Sequence, residues 1–264
     1  MPEHRTQGKL ESPVHVETIA GGEFQWIRLH APKANIIDSA MIAALSECLE
    51  AAAKSPKLKV IAIEGSGRHF SFGASVEEHR PESVGTMLTA LHRLFLQLLS
   101  LPVMSFAVVR GQCLGGGLEL VLGCHRVFAA EDATLGQPEI QLGVFAPIGS
   151  VMLPKRVGFA AANDLLLSGR SLHAKEAQEI GLVDECSQDP GAAAWAYYRE
   201  YLAHHSASSL RYALKATNFE RVQACRRELA NAESIYLEEL MQTHDAVEGI
   251  SAFLEKRTPH WRNQ

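Results

Sequence analysis

The stretch Val103-Met104-Ser105-Phe106-Ala107-Val108-Val109-Arg110-Gly111-Gln112-Cys113-Leu114-Gly115-Gly116-Gly117-Leu118-Glu119-Leu120 decides how this chain is read. Val103 to Val109 is apolar but for one serine, the pattern of a strand covered on both faces. Gly111 opens a glycine-rich turn, and a helix is expected from near Gly116. Three glycines before a helix leave backbone N–H groups free at its positive end, and with no Cβ in the way an oxygen can approach them closely. Glu119 follows Gly116 by three residues, about one helical turn on and on roughly the same face. Donors for a developing oxyanion and a carboxylate would then stand side by side. The same residues would equally serve tight helix–strand packing, with Glu119 favoured by the helix N-terminus alone. A nucleotide loop is excluded: Gly111, Gly115, Gly116 and Gly117 do not form GxGxxG, and no Gly-Lys-Ser/Thr follows.

On either side, short strands and helices alternate. Phe24 to Leu29 alternates as a strand. Ser39 to Lys54 predicts a helix, with Met41, Ile42, Leu45, Leu49 and Ala52 at spacings of three and four. Val60-Ile61-Ala62-Ile63 predicts a buried strand ending in Gly65-Ser66-Gly67. Val84 to Leu99 predicts a second helix, stopped by Pro102, and Arg126 to Ala129 another strand. Such repetition argues for an α/β layer fold with right-handed crossovers. After about residue 190 only helices are expected: Ala192–His204, Ser208–Thr217 and Val222–Leu254. An α-only tail is either a small second domain or an arm packing on another subunit; with no Pro-, Gly- or Ser-rich linker, one continuous unit is expected.

The chain has 264 residues, 47% hydrophobic and 21% charged, which is ordinary globular composition. At roughly 150 residues per domain, one large domain or two small ones fit. Lys and Arg number 25 against 30 Asp and Glu, a net charge of −5, with no long basic run, which argues against nucleic acid as the main partner. Five cysteines (48, 113, 124, 186 and 225) without a CxxC spacing suggest inert thiols in a reducing compartment, not a disulfide framework or a zinc site. Met1 to Arg5 leads into polar residues, so no secretory leader is expected. The longest apolar stretch, Leu94 to Val109, is interrupted by Gln97, Ser100, Pro102 and Ser105 and falls short of the roughly 20 residues a bilayer span needs. A soluble, cytoplasmic protein is expected.

Three further segments draw attention: Gly65-Ser66-Gly67-Arg68-His69-Phe70-Ser71-Phe72-Gly73-Ala74-Ser75, Gly136-Gln137-Pro138-Glu139-Ile140-Gln141-Leu142-Gly143, and Glu248 to Arg257. Taken singly they say little. Glu139 fits a solvated loop. His69, His79 and His92 share no metal spacing, and without a Gly-x-Ser-x-Gly elbow the serines near His69 are poor nucleophile candidates.

Taken in order, the four segments resemble the enoyl-CoA hydratase/isomerase (crotonase) superfamily, from about Pro32-Lys33-Ala34-Asn35 to Glu255-Lys256-Arg257. The resemblance implies an α/β, crotonase-like spiral of ββα units over residues 1–195, carrying the active site. A C-terminal helical oligomerisation region follows over 196–264, within one continuous unit. It implies that the backbone N–H groups of Ala74 and Gly116 hold a thioester oxygen and that Glu119 and Glu139 are the catalytic carboxylates. Lys33, Ala34, Phe253 and Lys256 are expected to contact coenzyme A, and the assembly to be a homotrimer or a dimer of trimers. No metal or cofactor is expected beyond the coenzyme A of the substrate, and neither nucleic acid nor membrane as a partner.

Two departures narrow the resemblance. Ser75 stands where the family usually has Asp, and Val144-Phe145-Ala146-Pro147 replaces a glycine-rich stretch after Gln-Pro-Glu. Both look like the cyclohexa-1,5-diene-1-carbonyl-CoA hydratases of anaerobic benzoyl-CoA degradation. Phe72, Ser75, Val144 and Phe145 are then expected to form a substrate pocket suited to a flat carbocycle, unless the phenylalanines are merely core. The reaction expected is reversible hydration of a ring diene bound to coenzyme A, a hydro-lyase activity. A straight-chain enoyl-CoA hydratase or isomerase is the alternative, and a non-catalytic CoA- or RNA-binding relative the alternative of another class. Which glutamate is acid and which is base is left open.

Overall fold

The computed structural model describes residues 12–31 and 34–264. Two strands open the chain, β1 (Val14–Ile19) and β2 (Phe24–Leu29), paired antiparallel. Helix α1 (Ser39–Lys54) follows, its first turn capped by the Asp38 carboxylate, which accepts from the Met41 N–H at 2.8 Å. Next come β3 (Val60–Gly65), α2 (Val84–Leu99), β4 (Met104–Val109), β5 (Gln112–Leu114) and α3 (Gly116–Leu122). Then follow β6 (Arg126–Ala130), β7 (Thr134–Gly136), a 3-10 turn over Pro138–Leu142, and α4 (Pro147–Ser168), which breaks direction at Gly158. The remaining elements are β8 (Ser171–His173), α5 (Ala174–Glu179), β9 (Glu185–Ser187), α6 (Pro190–Tyr197), α7 (Ala207–Ser234) and α8 (His244–Leu254).

A six-stranded sheet runs β1-β2-β3-β4-β6-β9, parallel from β2 onward; a three-stranded sheet runs β5-β7-β8. The units β4-β5-α3 and β6-β7-α4 therefore each send one strand to the large sheet and the next to the small one before their helix. That repetition is the ββα spiral. Between the layers, Ile61, Ile63, Ala107, Val109, Val127 and Leu135 are all buried, and the continuous apolar runs of the inner strands follow from cover on both faces. Among the described residues no helix is long and apolar enough to cross a membrane.

The helical tail differs from its expected boundaries. Ser208–Thr217 and the start of Val222–Leu254 form one helix, α7, because residues 218–221 continue its turn, with Asn218 buried. The expected Val222–Leu254 helix does not run through. It loosens into a π turn over Ile235–Glu239 and stops at Thr243, whose hydroxyl caps α8 by accepting from the Ala246 N–H at 3.2 Å. The apolar stripe persists across the break because both helices face the same core, where Val222, Leu229, Tyr236, Met241 and Ile250 join the side chains of α2 and α4.

Candidate active site

The first half of the site is the loop after β3. Asn35 is 3% exposed with φ 45°, and its amide donates to the carbonyls of His69 (3.0 Å) and Phe70 (3.1 Å), which fixes the loop's course. The buried Ser71 hydroxyl donates to the Asn35 carbonyl at 2.7 Å and accepts from the Gly73 N–H at 3.0 Å. Gly73 then takes φ 105°, a conformation that favours glycine. Ile37 bonds to the Gly73 carbonyl and the Ser75 N–H on one side, so the Ala74 N–H between them is directed to the other.

On that other side lies Gly116, the first residue of α3, whose N–H has no intrahelical acceptor. A Cβ placed on Gly116 would sit 3.0 Å from the Ala74 nitrogen, so the two backbones are pressed together as only glycine permits. Neither the Ala74 nor the Gly116 N–H meets a hydrogen-bond acceptor among the described residues. Two adjacent, unspent donors are what an oxygen that gains negative charge requires.

Both carboxylates stand beside them. Glu119, on the first turn of α3, is 3% exposed and accepts from the Gly149 N–H at 2.9 Å; the Ile148 N–H favours its anion in the same way. These donors are the opening turn of α4, so one helix N-terminus holds a carboxylate carried by another helix. Glu139, in the Pro138–Leu142 turn, lies against Gly115: a Cβ there would be 2.7 Å from its Oε1. The buried Gln137 amide, with its NH2 turned toward Glu139, donates to that carboxylate at 3.1 Å and to the Gly115 carbonyl at 3.3 Å. Burial lifts both carboxyls well above their ordinary range, and the neighbouring Glu119 charge lifts Glu139 further.

The carboxylates share an inner cavity with Ala74, Gly116, Val144, Phe145 and His79. It leaves about 70 Å³ free, a space for a small group only. Phe72, Ala74, Val76, Pro138 and Leu142 line both this space and an outer cavity of about 900 Å³, to which Ala34, Ser75 and Phe253 contribute. The expected substrate residues therefore divide. Val144 and Phe145 wall the inner space, Phe72 stands at the junction, and Ser75 belongs to the outer cavity. Lys256 is exposed past the end of α8 and is not part of the outer cavity's lining; Lys33 lies outside the described residues.

Sequence reading gave no role to Asn35, His79, Gln137, Ile148, Gly149 or Tyr236. Gln137 and Asn35 sit inside quoted motifs, a signal within reach. Tyr236 carried only its place on the apolar stripe with Leu229, Ala232, Ile235 and Leu240: it comes from the π turn far along the chain, is buried, packs its ring edge-on to Phe145 at 5.2 Å, and feels the charge of both glutamates. The cysteines offer no competing nucleophile, since burial pushes the Cys113, Cys124 and Cys225 thiols up. Among the described residues no three His, Cys, Asp or Glu side chains gather as a metal site.

Residues 22–264 match the enoyl-CoA hydratase/isomerase family. The chain is 49% identical over 256 residues to a cyclohexa-1,5-dienecarbonyl-CoA hydratase of Thauera aromatica, covering 97% of this chain and 99% of that one. It is 34% identical over 246 residues to a probable enoyl-CoA hydratase of Bacillus subtilis (strain 168), covering 90% and 95%. The fold superposes on the crystal structure of an enoyl-CoA hydratase from Bacillus halodurans with a TM-score of 0.84 at 20% identity, covering 91% of this chain and all of that one.

Proposed function

The chain belongs to the enoyl-CoA hydratase/isomerase family, and from that premise we propose that it hydrates cyclohexa-1,5-diene-1-carbonyl-CoA to a hydroxycyclohexene-carbonyl-CoA. The observation that carries the reaction type is a pair of carboxylates, Glu119 buried and Glu139 half-buried, lining one cavity with two unspent N–H donors. Identity over nearly the whole length with the Thauera aromatica enzyme supports the ring substrate.

The Ala74 and Gly116 N–H groups hold the thioester oxygen and gain strength as it becomes an enolate; one such donor typically contributes about 2.7–4 kcal/mol at the transition state. Glu119, whose anion the α4 N-terminus favours, takes a proton from water as the oxygen–carbon bond forms at the conjugate position. Glu139, kept protonated by burial and by the Glu119 charge, gives its proton to carbon as the enolate collapses. One water is added in all, and proton exchange with solvent restores both carboxyls. The reaction needs no group besides the substrate's own coenzyme A, whose long arm the outer cavity suits, with Ala34 and Phe253 on its walls.

We read residues 1–195 as the catalytic spiral and 196–264 as the assembly region of a trimer or a pair of trimers. Phe159, Leu167, Tyr212 and Phe219, each more than half exposed on α4 and α7, support that reading. The unpaired cysteines fit the reducing cytoplasm.

The deciding experiment is a spectrophotometric assay with the ring dienoyl-CoA and crotonyl-CoA side by side. The expected kcat/KM ratio favours the ring by at least about tenfold, since one pocket wall commonly contributes about 1–3 kcal/mol. An equal or reversed ratio removes the ring assignment and leaves a straight-chain hydratase.

A further inference from the structure

His79 enters the inner cavity from the short 3-10 turn Glu77–His79, five residues past Ala74, and lines the same space as Glu119 and Glu139. Its Nδ1 lies 2.7 Å from the Ser75 carbonyl. A carbonyl only accepts, so Nδ1 carries the ring hydrogen and donates it. The tether fixes the tautomer and leaves Nε2 as a lone pair with no donor bonded to it among the described residues. The remaining wall is mostly apolar: Val76, Leu88, Leu91, Leu142, Val144 and Phe145. Besides the two carboxylates and the Ala74 and Gly116 N–H groups, the residues lining this chamber bring no further polar side chain to meet the imidazole.

The diene and its hydrated product differ in hydrogen bonding by one hydroxyl, formed where the water attacked. That hydroxyl has one hydrogen to donate, and a neutral imidazole nitrogen accepts it. Burial lowers the His79 pKa, against the opposing influence of the Ser75 carbonyl and Glu78, and so favours this neutral acceptor form.

We propose that His79 is a positioning residue that recognises the new hydroxyl of the hydrated acyl group, Nε2 accepting its hydrogen while the Ser75 carbonyl holds the ring in place. The inference rests on the hydratase reading of the site. It gives Ser75 a use that the side chain does not explain, since what the imidazole needs from that position is the main-chain carbonyl.

The test compares two ligands in one protein. Inhibition constants against diene hydration are measured for the hydroxycyclohexene-carbonyl-CoA product and for cyclohexanecarbonyl-CoA, which lacks the hydroxyl. This is done in the intact wild type, His79→Phe and His79→Gln. The Phe variant is expected to weaken the hydroxylated ligand by roughly three- to tenfold, the size of one neutral hydrogen bond, and the other ligand by less than about twofold. The Gln variant, with an amide oxygen able to accept, recovers part of the difference. Equal weakening of both ligands, or of neither, overturns the proposal and leaves His79 as a wall residue. If the wild type hydrates crotonyl-CoA but not the diene, the ring reading fails on its own; 3-hydroxybutyryl-CoA against butyryl-CoA then poses the same question of His79. Should His79→Phe fail to fold, the Gln variant and His79→Leu carry the comparison.

Discussion

The Gly149 N–H donates to Glu119 Oε1 across 2.9 Å, so the first turn of α4 holds a carboxylate that belongs to α3. This bond is one of the features that set the two glutamates apart. Glu119 receives two main-chain donors from α4 that favour its anion, whereas at Glu139 desolvation and the Glu119 charge together outweigh its own main-chain N–H. The division into base and acid proposed above rests on where that helix begins.

Replacing either carboxylate by its amide keeps the shape and removes the proton transfer. Glu119→Gln and Glu139→Gln are each expected to lower kcat by about 10²–10⁴-fold, while binding of a non-reacting acyl-CoA, read by calorimetry, stays within a few-fold of wild type. Near wild-type turnover in either variant would remove that residue from the mechanism.

Activity and stability should move in opposite directions with pH. Both folded-state pKa values are raised above the unfolded value of about 4.3, so the native state binds more protons than the unfolded one between those limits. Stability from these two groups is therefore present at low pH and is lost as pH rises through their folded values. Turnover does the reverse, because protonating Glu119 removes the base. The acid limb of kcat is expected above the ordinary carboxylate range. Over that same limb the melting temperature of wild type should rise relative to the Glu119→Gln/Glu139→Gln double variant as pH falls. Parallel movement of the two curves would contradict the assignment.

Gly115 combines φ 51° with the Glu139 carboxylate at its Cα. In Gly115→Ala the new methyl, 2.7 Å from Oε1, must displace the Glu139 carboxylate. A residue forced into this backbone region costs of order 1–3 kcal/mol. We expect a thermal shift of that size together with a fall in kcat of at least about tenfold, measured on the folded fraction. An unchanged kcat would show that Glu139 does not act from this position.

Assembly is read by light scattering at micromolar concentration. The proposed trimer or pair of trimers predicts a mass of three or six chains, with exposed Phe159, Leu167, Tyr212 and Phe219 as its candidate contact residues. Replacing Phe159 and Leu167 by Ser should shift it downward if their face is an interface. A monomeric wild type would refute the assembly.

The sequence by itself determined the elements whose signal is local. Helices α1 and α2 begin and end where the apolar spacing and Pro102 say they should, because periodicity and a proline stop act over one or two turns. The motifs likewise contain the two glutamates and the two glycine-rich segments that meet at the inner cavity. What the stripe of residues 222–254 concealed was its break at Thr243, since a stripe records which face meets the core and not whether the axis turns. The three-residue strands β5, β7 and β8 carry too little pattern to declare themselves, and pairing with one another makes them strands. Tertiary structure alone decided that Glu139 lies half-buried against Gly115, that the start of α4 reaches Glu119, and that His79 and Tyr236 approach the carboxylates. Burial and charge coupling are sums over neighbours distant in the chain, and only packing brings those neighbours together.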